Sequence, residues 1–199
     1  MSTVPLQYES FDAFSPFSDQ GPYRAEDYWQ LPEGEPCELI QGRFIMSPSP
    51  TSRHQTIIVL LSELLLKSAR QGGGVALCAP MDVVFSDDTI LQPDLLYIAK
   101  QRREIVKQRI EGPPDLVIEI LSPGTERRDR LAKLDLYARY GVSEYWIVDP
   151  ASQLFEFLLN EDGRYVVLSQ ANDEFQSPRL PEVKIQLSVF WKEVTERLA

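Results

Sequence analysis

Two carboxylates stand inside apolar segments of the sequence, where an acidic side chain is costly. Glu119 lies in PDLVIEIL, residues 114–121, and Asp94 lies in QPDLLYI, residues 92–98. An unpaired ionised carboxylate is unfavourable in such a setting, so each must be neutralised, paired with a cation or bound to a metal. The residues alone leave these three outcomes open. Carboxylate oxygens suit Mg²⁺ or Mn²⁺, which makes both residues candidate metal ligands.

A third acid is predicted to lie near the first two. The polar turn SDD, residues 86–88, would fold MDVVF back onto the next strand, so that Asp82 becomes a cross-strand neighbour of Asp94. Pro93 is unfavourable in a regular ladder and predicts a break in that strand. Converging acids repel one another unless a cation screens them, which favours the metal interpretation.

The helix predicted after Glu119 supplies a candidate cation. At 100° per residue, one stripe of this helix contains Asp129, Lys133, Leu136, Tyr137 and Tyr140. Lys133 is therefore predicted to face the sheet that holds Glu119. The alternative to a catalytic role is a structural ion pair between Lys133 and Glu119 or Asp129. Asp129, one turn before Lys133, could orient it.

The single histidine, His54, falls in the first turn of a long predicted helix. A catalytic base is conceivable there, but a capping or surface role is the favoured interpretation. The cysteines Cys37 and Cys78 make neither a zinc pattern nor a disulfide framework and are interpreted as small core residues.

Periodicity predicts the elements that position these residues. A helix of about five turns runs from Thr51 to the QGGG segment. Another helix begins with a cap at Thr125 and ends at Gly141, and a last one starts near Ser188. Strand-like runs and hairpins fill the rest, and the central strands are apolar on both faces. The predicted fold is α/β (α+β), with a central mixed sheet flanked by helices and additional hairpins.

Length and composition are those of one globular domain. The chain has 199 residues, 43% hydrophobic and 25% charged. We expect a flexible arm at 1–22 and a single domain at 23–199. No apolar run suits a bilayer and the N-terminus does not resemble a secretory signal, so a cytoplasmic protein without a membrane partner is predicted.

The charge distribution bears on nucleic-acid binding. A net charge of −10 argues against a protein that coats nucleic acid non-specifically, because that affinity comes from cations. Ten of the 20 cationic residues nevertheless fall between 100 and 139. Arg102, Arg103 and Lys107 are the candidate nucleic-acid-binding residues. The alternative is that this run is a solvated helix face.

Several motifs in a fixed order resemble a known family. They are CELIQGRFIMSPSP, RHQ, PMDVVF, QPDLLYI, PPDLVIEILSPGT and RDRLAKLDLYARYGVSEYWIVDP. This order, over about residues 23–195, is similar to that of the putative restriction endonucleases abundant in cyanobacteria, which belong to the PD-(D/E)XK nuclease superfamily. The resemblance implies a restriction-endonuclease-like fold and hydrolysis of DNA that depends on Mg²⁺ or Mn²⁺.

The resemblance also implies roles for particular residues. The two metal-binding acids of the superfamily match Asp94 and Glu119. The lysine expected two positions after the second acid is replaced here by Leu121, and the family's lysine on the following helix matches Lys133. An acid in the first hairpin matches Glu38.

The predicted function is endonucleolytic cleavage of DNA by a metal-dependent hydrolase. Lys133 would orient or deprotonate the attacking water, or offset charge on phosphorus. The alternative is a non-catalytic module with a nuclease fold that binds nucleic acid or a protein partner as a homo-oligomer, such as a homodimer formed through the aromatic arm. The acidic composition favours this alternative.

Overall fold

The computed structural model describes residues 8–9, 21–32, 34–124, 126–169 and 173–199. Within the predicted arm at 1–22, Tyr8–Glu9 forms a short strand that pairs in parallel with residues 44–45. Most of that arm, and the predicted helix cap at Thr125, lie outside the described residues.

The described chain contains fourteen strands and four α-helices. The strands are β1 Tyr8–Glu9, β2 Cys37–Ile40, β3 Arg43–Met46, β4 Val75–Cys78, β5 Val83–Ser86, β6 Thr89–Leu91, β7 Leu95–Ile98, β8 Ile110–Glu111, β9 Leu116–Ile120, β10 Glu144–Asp149, β11 Leu154–Glu161, β12 Arg164–Val167, β13 Glu174–Gln176 and β14 Lys184–Gln186. The α-helices are α1 Ala25–Tyr28, α2 Ser52–Gly72, α3 Leu134–Tyr140 and α4 Leu187–Leu198. A 3-10 segment spans Lys100–Ile105, and a π-helical segment spans Arg128–Lys133.

The strands form two large sheets and one small sheet. The first large sheet has the order β1-β3-β2-β6-β5-β8, and the second has the order β12-β11-β10-β9-β7-β4. Strands β9 and β10 are parallel and are joined by the π segment and α3, whereas β10 and β11 are antiparallel. The mixed α/β architecture predicted from the sequence is confirmed, with two six-stranded sheets in place of one central sheet.

The chain passes from one large sheet to the other at residues 92–94. Strand β6 ends at Leu91 in the first sheet, and β7 begins at Leu95 in the second. Pro93 has no N–H to donate to a ladder, which accounts for the break at this point. The predicted strand break is therefore confirmed, and it places Asp94 at the junction between the sheets.

Helices cover both faces of the second sheet. Helix α2 packs with α4 on the face formed by Leu116, Ile118 and Ile120 of β9. Helix α3 packs on the opposite face, with Val117 and the first sheet. This alternation was predicted, and it leaves Glu119 on the α3 side with 3% of its surface exposed. None of the helices in the described ranges has the length and apolar character to cross a membrane.

The connection between β9 and α3 departs from the regular helix that periodicity predicts. Its first part, Arg128–Lys133, is a π-helical segment, in which hydrogen bonds run from residue i to i+5. The wider turn brings residues five apart closer together than an α-helix would. Arg128 and Lys133 are such a pair, and both are buried.

Candidate active site

A cleft of about 260 Å³ lies where the two large sheets and the π segment meet. Its lining includes Asp94 before β7, Glu119 on β9 and Lys133 at the end of the π segment. Three elements distant in the sequence thus bring the predicted catalytic residues to one place. Glu38, on β2 of the first sheet, reaches the same cluster from the opposite side.

Lys133 is the centre of the buried charges. Its Nζ lies 2.8 Å from Glu119 Oε1, 2.9 Å from Glu38 Oε1 and 3.7 Å from Asp129 Oδ1. The Tyr137 hydroxyl donates a second hydrogen bond to Glu119 Oε1, at 2.7 Å. The helix stripe predicted from the sequence therefore faces Glu119 as expected. The ion pairs named as the structural alternative are present too, so geometry alone supports both roles.

Arg128 is a second buried cation beside Glu38. Its Nη1 lies 3.6 Å from Glu38 Oε2, and its Nε lies 3.6 Å from Asp129 Oδ1. Within the described residues, Glu38 Oε2 and Arg128 Nε are buried and make no hydrogen bond. The polar groups of the cluster are thus incompletely satisfied, which is uncommon in a purely structural core.

Asp94 is held by the strand that carries Glu119 and by the long helix. Its Oδ2 accepts a hydrogen bond from the backbone N–H of Ile120 at 2.7 Å and lies 3.2 Å from His54 Nε2. The same His54 nitrogen lies 3.1 Å from the backbone oxygen of Ile120. Because both partners are acceptors, Nε2 carries the hydrogen. Burial lowers the pKa of His54, but the hydrogen bond and charge of Asp94 outweigh it and raise the pKa overall.

The carboxylates of the cluster differ in their readiness to ionise. Burial raises the pKa of Glu119 to about 8, because the attraction of Lys133 does not offset lost solvation and the repulsion of nearby acids. Burial also opposes ionisation of Glu38, but Lys133 and Arg128 outweigh it and hold its pKa below the ordinary range. Burial would neutralise Lys133, yet Glu119 and Glu38 raise its pKa and keep it protonated.

For two further predicted residues, Asp82 and Asp129, the structure gives opposite outcomes. Asp82 does not meet Asp94, because the hairpin that carries Asp82 ends before the chain crosses to the second sheet. Its Oδ1 accepts hydrogen bonds from Gln92 Nε2 at 2.9 Å and from the Tyr28 hydroxyl at 2.8 Å. The predicted cross-strand pair of Asp82 and Asp94 is therefore wrong. Asp129, in contrast, is buried and contacts Lys133 as predicted.

The basic run predicted to bind nucleic acid begins beyond the end of β7. Arg102 pairs with Asp115 at 3.4 Å, and Lys107 pairs with Glu111. Arg103 is exposed. The lining of the candidate active-site cleft, as far as the chain is described, includes none of the three cations of this run. Their contact with a nucleic acid remains a prediction.

Arg128 and His54 were not predicted to lie in the site. A regular α-helical period places Arg128 off the stripe that contains Lys133, and the π segment that turns it inward has no clear sequence signature. His54 has its backbone N–H capped by Thr51 at 3.2 Å, as a capping position suggests. Its side chain nevertheless points to Asp94, so the surface interpretation is wrong. For both residues the sequence held one indication: Arg128 lies on the predicted helix that carries Lys133, and His54 lies at the start of the predicted long helix.

Comparison with a solved structure establishes the class of fold. The crystal structure of a putative nuclease belonging to DUF820 from Anabaena variabilis matches with a TM-score of 0.74, over 87% of this chain and 99% of that chain. The two sequences are 20% identical, so the match concerns the fold. Together with the two sheets and the junction site, it defines a restriction-endonuclease-like nuclease fold.

Sequence comparison then identifies the family. The model of the Uma2 family, described as "Putative restriction endonuclease", matches residues 25–189, and the chain belongs to this family. A protein of Synechocystis sp., described as "Uncharacterized protein slr1290", is 28% identical over 170 residues, which span 81% of this chain and 86% of that protein. The resemblance stated from the motifs is confirmed.

Proposed function

We propose that the protein is a metal-dependent endonuclease that hydrolyses phosphodiester bonds of DNA. The observation that carries the proposal is the buried cluster at the sheet junction, which opens to a cleft. Its charged members are Glu38, Asp94, Glu119, Asp129, Arg128 and Lys133. Four carboxylates against two cations leave a formal charge of −2 when all six are ionised and His54 is neutral, which one divalent cation would balance.

Asp94 and Glu119 would hold Mg²⁺ or Mn²⁺. Among the described residues, no three acidic, histidine or cysteine side chains are grouped in a way that could hold a metal. The donor set still suits Mg²⁺, which is commonly bound by one or two carboxylates and retains several waters. The backbone oxygen of Ile120 lies 3.1 Å from His54 Nε2, the same nitrogen that contacts Asp94. This oxygen is a further hard donor at the cleft. When bound, the metal would polarise the phosphoryl oxygen and lower the pKa of water.

Lys133 would act as a cation and not as a base. Its pKa is raised by Glu119 and Glu38, so it holds its proton on Nζ at neutral pH. A protonated ammonium group can donate a hydrogen bond to the phosphate and offset the charge that develops in the transition state. Of the roles considered for Lys133, deprotonation of water is therefore the least suited to this environment.

His54 would position Asp94. Its Nε2–H lies against Asp94 Oδ2 and the Ile120 oxygen, while the Ile120 N–H bonds to Asp94. Three contacts thus fix the carboxylate of Asp94 relative to β9. Such support by a neighbouring side chain commonly orients a metal ligand.

The test combines cleavage with metal binding. Purified protein is incubated with supercoiled, linear and single-stranded DNA and with Mg²⁺ or Mn²⁺, and metal affinity is measured by calorimetry. We expect cleavage that requires metal and is lost in Asp94→Asn. The matched control is Asp135→Asn, at an exposed carboxylate that pairs with Arg139, which should cleave normally. A folded protein that binds neither metal would refute the proposal and favour the non-catalytic module.

A further inference from the structure

A second cleft, of about 740 Å³, lies beside the active-site cleft. The two share three lining residues, Pro36, Pro80 and Gln92. They are therefore neighbouring parts of one surface. A polymer whose phosphate enters the first cleft would bring an adjoining unit to the second.

Gln92 connects the two clefts by hydrogen bonds. Its backbone N–H donates to Glu38 Oε1 at 2.8 Å, inside the catalytic cluster. Its side-chain amide donates to Asp82 Oδ1 at 2.9 Å and to the Tyr28 hydroxyl at 3.0 Å, in the second cleft. One residue thus anchors both sites, which fixes their distance and relative orientation.

Two flat side chains form part of the second cleft. The Arg109 guanidinium carbon lies 3.3 Å from the centroid of the Trp29 ring. Trp29 in turn packs edge-to-face against Tyr28, with ring centroids 4.9 Å apart, which constrains its plane. Aromatic rings and guanidinium planes are the surfaces on which unpaired nucleobases stack.

The polar lining favours a base over a phosphate. The charged residues that line the second cleft are Glu35, Asp82 and Arg109, so carboxylates outnumber cations. Asp82 Oδ1 already accepts two hydrogen bonds, whereas Oδ2 accepts none from the residues that the structure describes. A carboxylate oxygen in this position can accept from the amino group of a base. The cleft thus suits a neutral planar group that carries an N–H donor.

We propose that this second cleft binds an unpaired nucleobase of the DNA strand whose phosphate enters the active site. The base stacks on the Trp29–Arg109 pair and donates an N–H to Asp82. This inference rests on the proposed function, and it specifies the substrate as single-stranded DNA or a duplex with an unpaired nucleotide. A base within an intact duplex is stacked and paired, and it would have to leave the helix to enter the cleft.

Binding is measured without metal, so that no cleavage is required. A labelled single-stranded oligodeoxynucleotide and the corresponding duplex are titrated in the presence of EDTA and followed by fluorescence anisotropy. We expect the single strand to bind more tightly than the duplex. Trp29→Leu should weaken single-strand binding by about tenfold or more, the scale of one lost stacking contact, while Trp29→Phe should retain most of it.

Arg109→Lys provides a second variant that leaves the Trp29 side chain itself in place. It keeps the charge and removes the planar guanidinium, so it should weaken single-strand binding in the same direction. Arg70→Lys, at an exposed arginine in the last turn of α2 and outside the cleft lining, is the matched control and should bind like the original protein. Circular dichroism verifies that each variant is folded.

The outcomes separate this proposal from the proposed function. If Trp29→Leu and Arg109→Lys bind single strands as the original protein does, or if the duplex binds as tightly, the base-binding cleft is refuted even when metal-dependent cleavage is observed. If the original protein neither binds metal nor cleaves DNA, yet these variants lose single-strand binding, the nuclease proposal fails and the cleft is supported.

Discussion

Replacing Lys133 by Met should separate a catalytic role of this residue from a structural one. Methionine roughly preserves the length and apolar contacts of the lysine stem while removing the charge. Lys133 is 2% exposed and lies within 3 Å of both Glu119 and Glu38. Its removal therefore leaves two buried carboxylates without their shared cation.

The environment of these carboxylates sets the size of the stability loss. Breaking a buried ion pair by removing one partner costs about 3 to 5 kcal/mol. Burial raises the pKa of Glu119 to about 8 even with Lys133 present, so Glu119 is already largely protonated at pH 7 and the loss of the cation falls mainly on Glu38. Glu38 keeps Arg128 and the N–H of Gln92 as partners. We therefore expect the lower end, about 3 kcal/mol, or a Tm lowered by about 6 to 12 °C for a chain of this size.

The effect on catalysis should be larger than the effect on binding. If Lys133 stabilises the transition state, single-turnover cleavage should fall by about 10²-fold or more, while metal and DNA affinities change little. Assays are run well below the Tm of the variant, and Lys192→Met, at an exposed lysine paired with Glu196, is the matched control. Normal cleavage by a folded Lys133→Met protein would falsify the catalytic assignment.

Three further predictions concern the same site and the basic run. Asp94→Asn and Glu119→Gln should each abolish metal binding measured by calorimetry and leave a folded protein, because each amide keeps the size of the acid it replaces and adds no charge to a cluster of acids that repel one another; unfolding of either, with metal affinity of the other unchanged, would mean that the carboxylates are structural. Burial raises the pKa of Glu119 from an ordinary 4.5 to about 8, so the folded protein without metal holds a proton that the unfolded chain has released. Its stability in urea should therefore fall as the pH rises from about 4.5 through about 8, a trend that Mg²⁺ reverses and Glu119→Gln removes; a profile that rises over this window contradicts the assignment. Replacing Arg102, Arg103 and Lys107 by Ala should weaken DNA binding and reduce its salt dependence without slowing single-turnover cleavage, whereas equal losses in both would place this run inside the active site.

Short-range patterns were sufficient to predict several features of the site. The alternation of side chains in β9 places Glu119 on a buried face, because the period of a strand is two residues whatever packs on it. The helical stripe places Lys133 toward that face, and Pro93 predicts the strand break before Asp94. Each of these predictions depends on local geometry, which a few neighbouring residues determine, and the structure confirms them.

Contacts between distant segments were decided only by the tertiary structure. Glu38 lies in the first sheet and Glu119 in the second, and both contact Lys133. No local rule predicts this, because the crossing at residues 92–94 sets the position of one sheet relative to the other. The partner of Asp82 was mispredicted for the same reason. Arg128 and His54 enter the site through the π segment and through the packing of α2 against β9. Burial and pKa follow from these contacts, since the cost of a charge depends on every group around it and not on its neighbours in sequence.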